Sequence, residues 1–217
     1  MGKRAWKCCV IASILTVVLW TAGSSGAEER TQPTTFNSQV AFEVYAVIGE
    51  TCPFVVGETP SDRPLTIPPC RWWYVEPRRP VDMEKVRQEV EAQGIPGLRL
   101  TWCTDAELEH LKGLTALRQL YLSYTQVTDA GLEHLKGLTQ LQYLDVPSNV
   151  TDAGLEHLKG LTALQYLNLA ATRVTDAGLE HLKGLRALRV LDLRETKVTE
   201  AGVEQLKKSL PNVLVNR

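Results

Sequence analysis

This chain has little chemistry concentrated in any one place. It carries no surplus of positive charge: 24 Lys and Arg face 25 Asp and Glu, a formal net charge of −1. That balance excludes the basic footprint by which nucleic acid is usually held. Histidine is scarce, at four residues. There is no Ser-His-Asp order, no metalloprotease helix motif and no phosphate-binding glycine loop, so the common signatures of an enzyme are missing. Cys8 and Cys9 lie at the extreme N-terminus, leaving Cys52, Cys70 and Cys103. Their wide spacing, with no His nearby, argues against a zinc site. Neither a metal nor a cofactor is expected.

The N-terminus reads as a targeting segment. Lys3, Arg4 and Lys7 precede an uncharged, mostly apolar run of 13 residues from Cys8 to Trp20, and small residues follow as far as Ala27. This is the order of a secretory signal, and 13 residues fall short of the about 20 that a membrane span needs. Residues 1–27 are therefore read as a signal peptide, the alternative being an uncleaved N-terminal anchor. Cleavage after Ala27 would leave 24 − 3 = 21 basic residues against 25 acidic ones, a charge of −4. The expected location is periplasmic, cell-surface or secreted. In such a compartment Cys52 and Cys70 could bridge, and the odd third thiol would stay unpaired in a monomer.

Residues 28–81 are irregular and hold eight of the 11 prolines. Val40 to Ile48 is apolar at alternating positions on both faces, which suits a strand covered on both sides. Arg71 to Val75 is a second strand candidate, and the two could form a hairpin. Asp82 then caps a predicted helix in which Met83, Val86 and Val90 recur at helical spacing, and Gly94 ends it. Residues 82–97 read as the N-terminal cap of the C-terminal region.

From Leu98 to the C-terminus the chain repeats itself. Copies begin at Thr104, Thr128, Thr151, Thr175 and Thr199, at offsets of 24, 23, 24 and 24 residues. Three of them share Val-Thr-Asp-Ala-Gly-Leu-Glu-His-Leu-Lys-Gly-Leu, as in Val127 to Leu138. Such a period marks a solenoid, because one copy cannot bury its own apolar face and must lean on its neighbours. Each copy reads as strand, turn, helix and return turn. Leu117, Leu120 and Leu122 point inward, Thr128 or Asp129 caps the helix, and Gly137 takes a left-handed conformation at its end. Leu117-x-x-Leu120-x-Leu122-x-x-Thr125-x-Val127 resembles the leucine-rich repeat signature, with Thr where Asn or Cys is usual. The frame recurs at Leu164 to Val174 and Leu188 to Val198, and at Leu141 to Val150 with one residue missing, which puts Asn149 near the Thr place. The Thr-Asp-Ala-Gly-Leu flavour resembles bacterial exported leucine-rich repeat proteins. The resemblance implies an α/β solenoid over residues 98–217, with a concave parallel sheet, helices on the convex face, and turn backbone satisfied by Thr125, Thr172 and Thr196. It also implies a non-enzymatic module that binds a protein or other ligand on the concave face.

The candidate residues follow from that frame. His110, His134, His157 and His181 each follow a glutamate at one repeat position. Helices in a stack lie about 8–10 Å apart, too far for successive copies to share one ion through bonds of about 2 Å, so these are read as duplicated surface residues. The outward strand positions differ between copies and carry the binding expectation: Tyr121, Tyr143 and Tyr166 as an aromatic patch, with Asp145, Asn168, Asp192 and Arg194 beside it. A protein partner is expected, with membrane contact only through an uncleaved N-terminal segment. The rival readings are a structural envelope protein without a specific ligand and an enzyme using residues 28–81. Cys–His chemistry in that enzyme would need His110 from the repeats.

Overall fold

The structure is a computed structural model that describes residues 33–36, 38–47, 53–60, 64–68, 70, 72–78 and 82–217. The signal-like segment 1–27 lies outside the described residues. So does Cys52, and with it the expected bridge to Cys70. The chain divides into two units, Met1–Val81 and Asp82–Arg217. No described helix is long and apolar enough to cross a membrane.

The first unit is built from short antiparallel strands. β1 (Thr34–Phe36) pairs with β4 (Leu65–Ile67). β2 (Phe42–Val47) pairs with β3 (Phe54–Glu58) on one side and β5 (Trp72–Pro77) on the other. Alternation in β2 sends Phe42, Val44 and Ala46 into a core with Phe36, Ile67, Trp73 and Val75, with the Phe36 and Trp73 rings 5.4 Å apart. β2 and β5 are the two strands expected from sequence. They are neighbours but not a hairpin, because the intervening chain forms β3 and β4.

The second unit starts with α1 (Met83–Gln93). Asp82 Oδ1 accepts from the backbone N–H groups of Glu84 and Lys85 at 3.0 and 3.4 Å. Met83, Val86 and Val90 are buried, and Gly94 ends the helix at φ 60°. Six parallel strands follow in chain order: β6 (Gly97–Arg99), β7 (Gln119–Tyr121), β8 (Tyr143–Asp145), β9 (Tyr166–Asn168), β10 (Val190–Asp192) and β11 (Leu214–Asn216). Leu98, Leu120, Leu144, Leu167 and Leu191 form one fully buried rung through the stack. The sixth strand starts one residue after Val213, which packs inside. The first five strands each lead into a helix, but most helices are one turn long: α2 (Asp105–Leu108), α3 (Asp129–Leu132), α4 (Asp152–Glu156) and α5 (Asp176–Leu179), with only α6 (Glu200–Ser209) extended. The left-handed glycine expected at Gly137 is not there. Lys136 stays in the right-handed helical region, and 3-10-type bonds such as Leu138 N–H to Leu135 O at 2.9 Å close the turn without it.

On the turn after each strand, Thr125, Thr172 and Thr196 donate their hydroxyls to the carbonyls of Leu122, Leu169 and Leu193 at 2.6–2.7 Å. The residue before each one, Tyr124, Ala171 or Glu195, takes a left-handed φ of 60–66°. The copy that is one residue shorter lacks this step. There Val150 N–H bonds Pro147 O at 3.3 Å, and Asn149, expected near the Thr place, is exposed.

The aspartates do something that local sequence rules do not reveal. Those rules make them caps of their own helices. Instead, each accepts two hydrogen bonds from the Thr of the next copy, one from its backbone N–H and one from its hydroxyl. The pairs are Asp105–Thr128, Asp129–Thr151, Asp152–Thr175 and Asp176–Thr199, all at 2.5–2.8 Å. The repeated glycine makes room for this clasp. A Cβ on Gly131, Gly154, Gly178 or Gly202 would lie under 3.0 Å from the preceding copy's aspartate oxygen. Thr-Asp-Ala-Gly is thus an inter-repeat joint as well as a helix start.

Candidate binding face of the parallel sheet

Short strands with period-two alternation place every second side chain on the open face of the sheet. The first row across the strands is Gln119, Tyr143, Tyr166 and Val190. The second is Arg99, Tyr121, Asp145, Asn168 and Asp192. The structure brings the three tyrosines together. Tyr143 stacks on Tyr166 with centroids 4.5 Å apart and planes within 3°, and Tyr121 leans on Tyr143 at 4.6 Å. Stacking of this kind adds about 0.5–1.5 kcal/mol beyond area burial. It also covers the rings: Tyr143 and Tyr166 are only 4% and 5% exposed, while Tyr121 is half-buried. Burial raises the Tyr166 phenol well above its ordinary value, and the Asp192 and Asp145 carboxylates add to the effect.

The expected acidic rim is a buried polar row. Asp145 is 1% exposed and Asp192 0%. Asp145 accepts from the Ser123 hydroxyl and from Asn168 Nδ2 at 2.9 Å. Burial pushes its carboxyl up to about 6, opposed by the Ser123 bond, Arg99 and Asn168 and reinforced by Asp192. Asp192 is gripped by Arg194, whose Nε and Nη2 reach its two oxygens at 2.9 and 2.6 Å. The Arg194 backbone N–H adds a bond at 3.1 Å, and the carboxylate raises the guanidinium's pKa. Asn168 Oδ1 also accepts from Ala170 N–H at 2.9 Å. Arg99 was not singled out from sequence, because the first strand's frame is degenerate. It is nonetheless the rung partner of Tyr121. Counting one rung back from Tyr121 would have found it.

The histidines and Cys103 lie apart from this row. His110 Nδ1 lies 3.5 Å from Glu84 Oε2, and the other three histidines are half-buried. No group of three His, Cys, Asp or Glu among the described residues could hold a metal ion. Burial, then Glu107 and Asp105, pushes the Cys103 thiol up to about 12, which makes it a poor nucleophile at neutral pH.

Comparison with known proteins agrees with this architecture. The family model described as leucine-rich repeat matches residues 113–136. An internalin from Listeria monocytogenes superimposes with a TM-score of 0.50 at 22% identity, over 63% of this chain and 37% of the internalin. A second Listeria internalin gives 0.41 at 23% identity, over 65% of this chain and 69% of that one. A leucine-rich repeat protein of Leptospira interrogans gives 0.44 at 18%, over 62% and 33%. This chain thus spans little more than a third of the first internalin's length. No curated protein matches. The second unit has the fold of a leucine-rich repeat solenoid.

Proposed function

We propose that the leucine-rich repeat domain is a non-enzymatic interaction module and binds a protein partner on its parallel sheet. The observation that carries this reading is the contiguous stack of Tyr121, Tyr143 and Tyr166 on three adjacent strands. The helical segments of successive copies are near-identical, whereas the sheet positions differ from copy to copy, as a surface shaped for one ligand would. Tyr121, Asn168 and Arg194 are half-exposed and form the accessible rim. Tyr143 and Tyr166 form the floor. Tyrosine serves interfaces well because its body is apolar and its tip polar. The fold analogy adds weight, since such solenoids offer a long binding surface. With its signal-like N-terminus, the protein acts outside the cytoplasm, released or held by an uncleaved anchor.

The test is cross-linking and pull-down with the intact protein, comparing three variants. Tyr121→Ala, and Tyr143→Ala with Tyr166→Ala, should each weaken capture of a specific partner, the pair by about 30-fold or more, as truncation of true anchors does. His134→Ala with His157→Ala should bind as the wild type. Circular dichroism shows which variants stay folded. If the histidine pair loses binding while the tyrosine variants keep it, the sheet is not the working face. Mass spectrometry of the exported protein should find Glu28 at its N-terminus. A second reading is favoured by the burial of Tyr143 and Tyr166: the stack could simply hold neighbouring strands together in a structural protein. Normal partner capture by folded tyrosine variants would support it.

A further inference from the structure

We propose that Asp145 is a proton-operated switch in the leucine-rich repeat sheet, whose protonation in mildly acidic solution tightens the stack of repeats. Two aspartates stand in one row of the sheet, two strands apart. Asp192 is clasped by the Arg194 guanidinium at both oxygens. Asp145 is buried just as deeply, but the groups that hydrogen-bond to it are neutral: the Ser123 hydroxyl in the turn after β7 and the Asn168 amide on β9. No described Lys or Arg forms an ion pair with it. The charged and titratable groups facing it are Arg99 on β6, acting at longer range, its rung partner Tyr121 on β7, Asp192 on β10, which repels it, and Tyr166 on β9.

A carboxylate held by neutral donors, out of water and near a second carboxylate, favours its protonated form. The folded chain therefore holds this proton more tightly than the unfolded chain, from an ordinary value of 3.8 up to about 6. A raised folded value means that stability grows as pH falls through about 6 and levels off near 4. Other carboxylates act in the opposite sense. Glu84, Glu109, Glu133, Glu156 and Asp176 are all held below their ordinary values by hydrogen bonds from neighbours. They cost stability only once pH falls toward 4.5 and below. Between pH 7.5 and 5, the difference between the wild type and a variant lacking this carboxyl therefore reports Asp145. Its loss of charge also changes the field on the sheet, so anything bound there would be linked to pH. The gain in stability on protonation needs no bound partner.

The experiment uses the full chain alone. Carboxyl carbons are followed by NMR from pH 4 to 8, and chemical unfolding is measured at pH 7.5 and 5.0 for wild type and Asp145→Asn. The Asp145 signal should titrate near 6. The wild-type unfolding constant should fall about ten-fold on acidification relative to the variant, and the four histidines, common to both proteins, drop out of that difference. Ser123→Ala removes a donor to the carboxylate and should move the midpoint upward, which a merely structural aspartate would not do. If Asp145→Asn does not fold, the wild-type titration decides. A midpoint below 5, or identical pH profiles for the two proteins, would overturn the proposal.

Discussion

The clasp between copies predicts an unusual rescue. Gly178 sits in a helical turn, where Gly→Ala normally stabilises by about 1 kcal/mol. Here the added Cβ would lie under 3.0 Å from Asp152 Oδ1. Asp152 would have to swing away from Thr175, giving up bonds of 2.8 Å from its N–H and 2.6 Å from its hydroxyl. Hydrogen bonds to a charged group are worth about 1.5–3 kcal/mol. Both residues are half-buried, so about 2 kcal/mol is a fair figure for the pair of bonds together. Gly178→Ala should therefore destabilise by about 1 kcal/mol net. Asp152→Ala alone should cost about 2 kcal/mol. In the double variant the clash with the carboxylate is gone, and the flexible end of Leu155 lies 3.1 Å from the new methyl. The helix gain then survives, and the total cost drops to about 1 kcal/mol. The double variant should thus be more stable than Asp152→Ala alone, a coupling of about −2 kcal/mol. Urea unfolding followed by circular dichroism measures all four proteins. Additive costs within about 0.5 kcal/mol would mean that the glycine has no bond to the aspartate's geometry, and the clasp reading would fall.

Other outcomes follow from the same packing. Leu167→Ala, in the middle of the fully buried rung, should cost about 2–5 kcal/mol in chemical unfolding, and a loss under about 1 kcal/mol would contradict the register. Arg194→Leu strips Asp192 of its only clasping cation among the described residues. It should cost about 3 kcal/mol at pH 7, the low end for breaking a buried pair because Arg194 is partly in water. Near-wild-type stability would show that Asp192 does not need it. Partner capture should fail in the tyrosine variants and survive in the histidine pair. Relative to Asp145→Asn, the wild type should gain stability on acidification from pH 7.5 to 5, measured by chemical unfolding at the two pH values.

The repeat architecture was legible because solenoids write their period into the sequence. The repeat frame located all six strands, the last of them within a residue of Val213, and the Asp82 and Gly94 signals bounded α1. What could not be read was anything depending on how copies meet. The outward positions of the strands were expected to be open, yet Tyr143 and Tyr166 stack and Asp145 and Asp192 sink among their neighbours. Period-two alternation says which face a side chain takes, not whether neighbours at strand spacing will close over it. The aspartates look like local caps for the same reason. Capping is the local rule, while their actual partners lie 22 or 23 residues away.

The clasp also explains why the first copy breaks the consensus. The first copy has Asp105 but carries Glu107 where the others have glycine. No aspartate reaches Thr104 from an earlier copy, so the space need not be kept clear. Glu107 takes over the missing neighbour's work, accepting from the N–H and hydroxyl of Thr104 at 2.8 and 2.9 Å. Those are the two groups that Asp105 engages on Thr128. The copy at Thr199 keeps Gly202, because Asp176 approaches it from behind, and its Glu200, where the others have aspartate, pairs with Arg217 at 2.7 Å. Glycine is thus kept in each of the four copies that a preceding aspartate reaches and is lost in the one that none reaches. If Asp and Gly were independent helix-start preferences, nothing would tie the loss of that glycine to the copy without a preceding aspartate. A joint that faces one way along the stack requires that link.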